Sequence, residues 1–323
     1  MTVREPRALV ETNVRWHLAT GAAEVFVFLD DPDDPAADAL EALSGCRVQR
    51  CGPAYWAKRR PNKGRPASQM RRQTLNANVA QNRTSSEWLF HVDADEFIWQ
   101  DRPLGPELAA MTDPETEVNL PVLERLFPVA PADHIFAGAF RATGTLEEAE
   151  ADRAYAPFAD FMKRGQYSHG AGKSGVRVGA GLRLGVHNAT VRRGDGWRRA
   201  PKHVSTTARL LHFDGLTPLH WAMKFLRYRL TPADVQRAIL QPHRAAQIDW
   251  MLARCDTAEQ IRTAHQTLFA LTPERVEALG AFGLIEEIPF DPRVPDLDLS
   301  PEAFDADILQ RNPWLRELVD WSG

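Results

Sequence analysis

Cysteine is scarce in this 323-residue chain: Cys46, Cys51 and Cys255 make an odd number with no C-x-x-C spacing. That excludes a disulfide framework and a structural zinc site built on paired cysteines, and it points to a reducing compartment. Long apolar runs are missing as well. No stretch approaches the roughly 18 consecutive apolar residues of a membrane span. The opening Met1-Thr-Val-Arg-Glu-Pro lacks the apolar core of a secretion signal, so the expected location is the cytoplasm, with no transmembrane segment. Nor is there a large excess of charge of one sign. A net charge of −4 and a pI near 6.2 exclude a general attraction for nucleic acid and leave any anion binding to local patches. Internal repeats and low-complexity segments are absent too.

What is present suits a full-sized core. Hydrophobic residues make up 44% of the chain, enough for one large domain or a domain with an appendage. Over the first hundred residues strand and helix signals alternate. Short strands are expected at Arg7 to Val10, Glu24 to Leu29, Cys46 to Arg50 and Trp88 to Val92, and helices at Asn13 to Thr20, Ala36 to Leu43 and Ser68 to Gln81. Such alternation predicts an α/β fold with a mainly parallel sheet flanked by helices. Further strands are expected at Glu117 to Leu123, Gly175 to Val178, Leu182 to His187 and Arg209 to Phe213, with glycine-rich loops around Gly165 to Gly185. Beyond about Thr217 helix-start signals dominate: Thr231-Pro-Ala-Asp234 and Thr257-Ala-Glu-Gln260 match a capping box, and Thr272-Pro273 places proline at a first helical position. The expected division is a catalytic domain over 1–230 and a helical appendage over 231–323.

The strongest chemical signal is Trp88-Leu-Phe-His-Val-Asp-Ala-Asp-Glu-Phe-Ile98, an apolar run ending in Asp93, Asp95 and Glu96. Side chains two apart on an extended segment point the same way, so Asp93 and Asp95 are expected to converge at the carboxyl end of a strand, where open α/β sheets bind ligands. Two carboxylates so placed suit Mg²⁺ or Mn²⁺, or else form an acidic turn capping the strand. A second acidic group, Asp30 and Asp31, follows the Glu24 to Leu29 strand. It reads either as a solvated turn or as an acceptor for a nucleobase or ribose.

Basic residues cluster at Lys58-Arg-Arg-Pro-Asn-Lys-Gly-Arg65 with Arg71 and Arg72, which reads as a solvated face or a phosphate contact. Arg72 and Asn76 share a helix face and are candidates to line a pocket. His187 and His212 each end a short apolar run, and His212 is the favoured third ligand of the metal. His169 and Lys173 fall on what reads as a mobile surface loop, and His17 is expected to pack or cap.

In their order along the chain these segments resemble the GT-A-fold glycosyltransferases, close to the family 2-like and family 92-like bacterial enzymes. The resemblance covers most of residues 7 to 230 and is carried by Asn13 to Gly21, Val27-Phe-Leu-Asp-Asp31, Arg72-Gln-Thr-Leu-Asn76, Trp88 to Phe97, Gly185-Val-His-Asn188 and Leu211-His-Phe213. It implies that Asp93 and Asp95 are the metal and diphosphate motif, that Asp30 and Asp31 bind the nucleotide, and that His212 completes the metal site. The usual Gly-Ser after the acidic pair is here Pro32-Asp33.

The implied activity is metal-dependent transfer of a sugar from a nucleotide-sugar donor to a hydroxyl of a carbohydrate or lipid-linked acceptor, in surface or extracellular polysaccharide or glycolipid synthesis. The metal ion would act as a Lewis acid on the leaving diphosphate. The family's Glu-Asp base motif is not evident, which leaves Asp160 and Glu124 as candidate bases. Without a base, the alternative is a non-catalytic nucleotide- or carbohydrate-binding protein of the same fold. A nucleotidyltransferase would use similar chemistry but would bring a glycine-rich phosphate loop near the amino terminus, and none is present.

Overall fold

The computed structural model describes residues 1–130, 132–142, 146–155, 159–162, 167, 170–230 and 242–320. It is an α/β structure that divides into two compact units, 1–122 with 171–211, and 123–170 with 212–323.

In the first unit, Thr2–Val3, Val25–Leu29 and Cys46–Arg50 form a parallel sheet with Val25–Leu29 in the middle. Val27 and Leu29 are fully buried, as expected of a parallel strand covered on both faces. The helix Arg7–Ala19 follows the first strand. A strand was expected over Arg7 to Val10, but Pro6 opens a helix there, and Leu9, Val10, Asn13, Val14 and His17 bury one face at helical spacing. The helix Gln69–Gln81 begins at Ser68, whose hydroxyl accepts the Arg71 amide.

The sheets are mixed and not mainly parallel. Lys173–Arg177 lies between Trp88–Phe90 and Glu117–Leu120 and runs antiparallel to both, while Lys202–Val204 pairs parallel with Glu117–Leu120. Gly175 is required in this strand. The Phe90 ring packs so closely on it that a Cβ would stand 2.3 Å from a ring carbon. The strand expected over Glu117 to Leu123 is broken at Pro121 into Glu117–Leu120 and Val122–Leu126. A third sheet, Leu182–Leu184, Ala189–Arg193 and Gly196–Arg199, is an antiparallel meander, and Glu96–Gln100 lies beside Ala208–His212 in a fourth.

The antiparallel pair Val122–Leu126 and Ala139–Ala142, with Ile285–Glu286 added at the edge, falls almost wholly in the second unit, which also holds a set of helices. Thr217, Thr257, Thr272 and Ser300 each cap a helix through the side-chain oxygen, and Thr257 with Gln260 completes the expected capping box. Proline occupies the first position at 218, 273 and 301. In the aromatic core of this unit Trp221 meets Phe225, His265 and Phe269 edge to face, and His265 lies tilted against Phe269. The capping box expected at Thr231 lies outside the described residues.

Candidate functional site

The strand expected over Trp88 to Val92 stops at Phe90, and Glu96–Gln100 begins a new one. Asp93, Ala94 and Asp95 therefore form a tight turn, and the alternation of an extended strand does not govern where the carboxylates point. The turn is held from three sides. The Asn13 amide donates to the carbonyls of Ala94 and Glu96 at 3.0 and 2.7 Å. The Gln73 amide donates to Asp93 Oδ1 at 2.6 Å. The Lys173 ammonium lies 2.6 Å from Asp93 Oδ2 and 3.2 Å from Glu96 Oε2, and the Asp93 amide donates to Glu96 Oε2 at 2.8 Å.

Lys173 was expected on a mobile loop. It is instead a fully buried strand residue. Burial disfavours its charged form, but Glu96 and Asp93 outweigh that and raise its pKa above the ordinary lysine value. The same pairing carries the Asp93 carboxyl well below the usual range against its own desolvation. Nothing near Lys173 in the sequence signals this, since its strand reads Lys-Ser-Gly-Val-Arg and its carboxylate partners lie about 80 positions away; only its burial requires them.

The second part of the site gathers at the carboxyl ends of Val25–Leu29 and Cys46–Arg50. A cleft of about 610 Å³ opens there, lined by Arg4, Asp30, Asp31, Trp56, Arg60 and Arg65 among others. Arg65 pairs with Asp30 Oδ2 at 2.7 Å and Arg72 with Asp30 Oδ1 at 2.9 Å. Asp31 accepts the Asp33 amide at 3.0 Å, which closes an Asx turn in this loop. A further cavity of about 530 Å³ has Phe26, Leu89 and Leu108 in its wall.

Arg72 and Asn76 do not line the cleft. Arg72 is buried and also donates to the carbonyls of Pro66 and Ala67. Asn76 is wholly buried, accepting from the Tyr55 hydroxyl at 2.6 Å and donating to Thr2 Oγ1 at 3.0 Å. Both are tie points. Through Arg72 and Gln73 one helix holds Asp30 and Asp93 in place. His17 packs and caps as expected: its Nδ1 faces the Asn13 carbonyl at 2.8 Å and its Nε2 accepts the Ile98 amide at 3.1 Å. Burial keeps it neutral, with a pKa lowered to about 4.

Both Asp93 oxygens already receive donors, one of them a cation, so a divalent ion at Asp93 would have to displace Lys173. His212 is buried at the end of its strand and belongs to the second unit. His187 faces the Gly172 carbonyl at 3.2 Å. Among the described residues, no group of three or more His, Cys, Asp and Glu side chains is placed to hold a metal ion. The residues present do not fit a divalent ion at Asp93.

The two candidate bases also belong to the second unit. Glu124 is buried against the Arg141 guanidinium and accepts the Tyr167 amide, and Arg141 in turn donates to the Tyr155 hydroxyl at 2.6 Å. That network gives Glu124 a structural role in place of an open base. Asp160 is exposed on the short turn Ala159–Phe161, and His169 lies outside the described residues. No family model, curated protein or solved structure matches this chain.

Proposed function

We propose that the chain is a nucleotide-sugar-dependent glycosyltransferase of GT-A-like architecture, acting on a hydroxyl of a carbohydrate or lipid-linked acceptor. The observation that carries this reading is the cleft at the carboxyl ends of parallel strands, with the acidic pair Asp30 and Asp31 on one wall and Arg4, Arg60 and Arg65 around it. Carboxylates suit the N–H and O–H donors of a nucleoside, and arginine forks suit its phosphates. Positive charge near the leaving diphosphate lowers the barrier to its departure. In this reading the arginines supply that charge, and no step is routed through the Mn²⁺ or Mg²⁺ that the resemblance implies. The Asp93–Asp95 turn, fixed by Asn13, Gln73 and Lys173, is the place for the transferred sugar.

A second reading, a nucleotide-binding protein without catalysis, is favoured by the burial of Glu124 against Arg141. One experiment separates them. Nucleoside diphosphates are screened for thermal stabilisation of the full chain, and the matching nucleotide sugar is then assayed for hydrolysis and for transfer to hydroxyl acceptors. Binding with turnover supports the transferase. Binding without turnover selects the second reading, and no binding of any nucleotide sinks both.

A further inference from the structure

Residues 182–199 contain five arginines and one aspartate, in a chain whose net charge is −4. They fold into the antiparallel meander of Leu182–Leu184, Ala189–Arg193 and Gly196–Arg199. Its last hairpin turns through Gly194 and Asp195, with Gly194 at φ +54°, where a first-position glycine suits a tight hairpin turn.

Register decides which face each side chain takes. Leu182, Leu184, Ala189 and Val191 are buried and pack with Ala77, Val176 and Ala200, so that face is the inner one. Arg183 pairs with Thr190, Thr190 with Arg199, and Arg192 with Trp197; cross-strand partners share a face, so these five form the outer one.

The outer face is thus three exposed guanidinium groups around one tryptophan. The Arg183 guanidinium lies over the Trp197 ring, 3.8 Å from its centroid. Arg193 is different, because Glu115 neutralises it with two bonds of 3.0 and 2.7 Å. Arg183, Arg192 and Arg199 form no ion pair among the described residues, and neither does the adjacent exposed Arg198.

We infer that this face docks the protein on a membrane surface rich in anionic phospholipid headgroups. Three considerations select that partner. Basic side chains presented on a short sheet face meet a planar anionic surface together. A tryptophan among them is the residue that settles at headgroup level. Each strand has at most five residues and spans about 16 Å, so an extended nucleic acid would run beyond the patch onto a chain with excess negative charge. Docking here is peripheral, and no helix of the described residues is long and apolar enough to cross a membrane.

The test is co-sedimentation of the full chain with phosphatidylcholine vesicles and with vesicles in which about one lipid in three is phosphatidylglycerol. No nucleotide or sugar is present, so the result is independent of the glycosyltransferase reading. Binding is expected only to the anionic vesicles, with release as salt shortens the Debye length from about 8 to about 3 Å. Neutralising each of Arg183, Arg192 and Arg199 with Gln is expected to lower partitioning about five-fold, and all three roughly a hundred-fold. The R183E/R192E/R199E variant should not bind at all. Circular dichroism and thermal melting check that these surface variants stay folded, and the wild-type lipid comparison stands whatever they do. Equal binding to both vesicle types, no binding to either, or unchanged binding by a folded triple variant overturns the inference. So does arginine-dependent binding to an oligonucleotide with none to vesicles, which would assign the face to nucleic acid.

Discussion

Lys173 Nζ and Asp93 Oδ2 stand 2.6 Å apart, an ammonium with no exposed surface locked to a carboxylate that keeps about a quarter of its own. Glu96 completes the group at 3.2 Å, so two negative charges share one positive charge beneath the Asp93–Asp95 turn. The pairing converts what would be a repulsive acidic cluster into a fixed element.

Removing Lys173 leaves the buried Glu96 and the half-buried Asp93 without their cation. Lys173→Met is therefore expected to cost about 3–5 kcal/mol in urea unfolding, and adding Asp93→Asn should restore part of it. A loss below about 1 kcal/mol, the range of an exposed pair, would show that the ammonium is not the keystone of the turn.

Asp31 offers the cleaner test of the cleft, since Asp30 also anchors Arg65 and Arg72. Asp31→Ala should weaken nucleoside diphosphate binding about ten-fold or more, the worth of a hydrogen bond to a charged group, while leaving the melting temperature nearly unchanged. Because Lys173 already occupies Asp93, chelating divalent ions should leave that affinity unchanged. Isothermal titration with and without EDTA measures both. Strict Mn²⁺ dependence would mean that Lys173 yields to metal when ligand binds.

Three histidines are buried in the neutral form. Desolvation lowers His17 to about 4 and His91 and His265 to about 3. Their folded values lie below the unfolded value of about 6.5, so the unfolded chain binds more protons in that window. Their stabilising contribution is complete above about pH 6.5 and declines as pH falls toward 4 and then 3. Chemical denaturation at stepped pH should show stability decreasing over that range, and a His17→Gln variant should have a shallower slope.

Asp305 works in the opposite direction. Burial raises its carboxyl to about 7 against the hydrogen bond from Thr217. With a folded value above the unfolded one, its contribution is complete below about pH 4 and is lost as pH rises through 7. Asp305→Asn should gain stability relative to the parent as pH rises from about 4 to about 7. Parallel profiles for the two proteins would refute the assignment.

Much of the fold was legible because local rules were strong. Cys46–Arg50 occupies the expected span, Ser68 caps the expected helix, and Thr257 with Gln260 forms the expected box. Each rests on residues within a few positions of one another. The Arg7 to Val10 error was also local, since an apolar pair after a proline fits either a strand or a helix entry until the partner face is known. The strand from Trp88 stops at Phe90, short of the expected Val92, and Pro121 breaks a strand that a continuous apolar pattern had run together.

By itself the sequence determined which residues are chemically notable: the acids after Leu29 and Val92, the arginines from Arg59 to Arg72, and the scarcity of cysteine. Only the tertiary structure decided what each was for. Lys173 is 80 positions from Asp93, and Asn13 is 81 from Ala94, so no local pattern announces either contact. The fold returns a strand between Trp88–Phe90 and Glu117–Leu120 and thereby sets a cation against Asp93. It also turns Arg72 and Asn76 inward as ties, because buried polar groups must find partners and the nearest were Asp30, Tyr55 and Thr2.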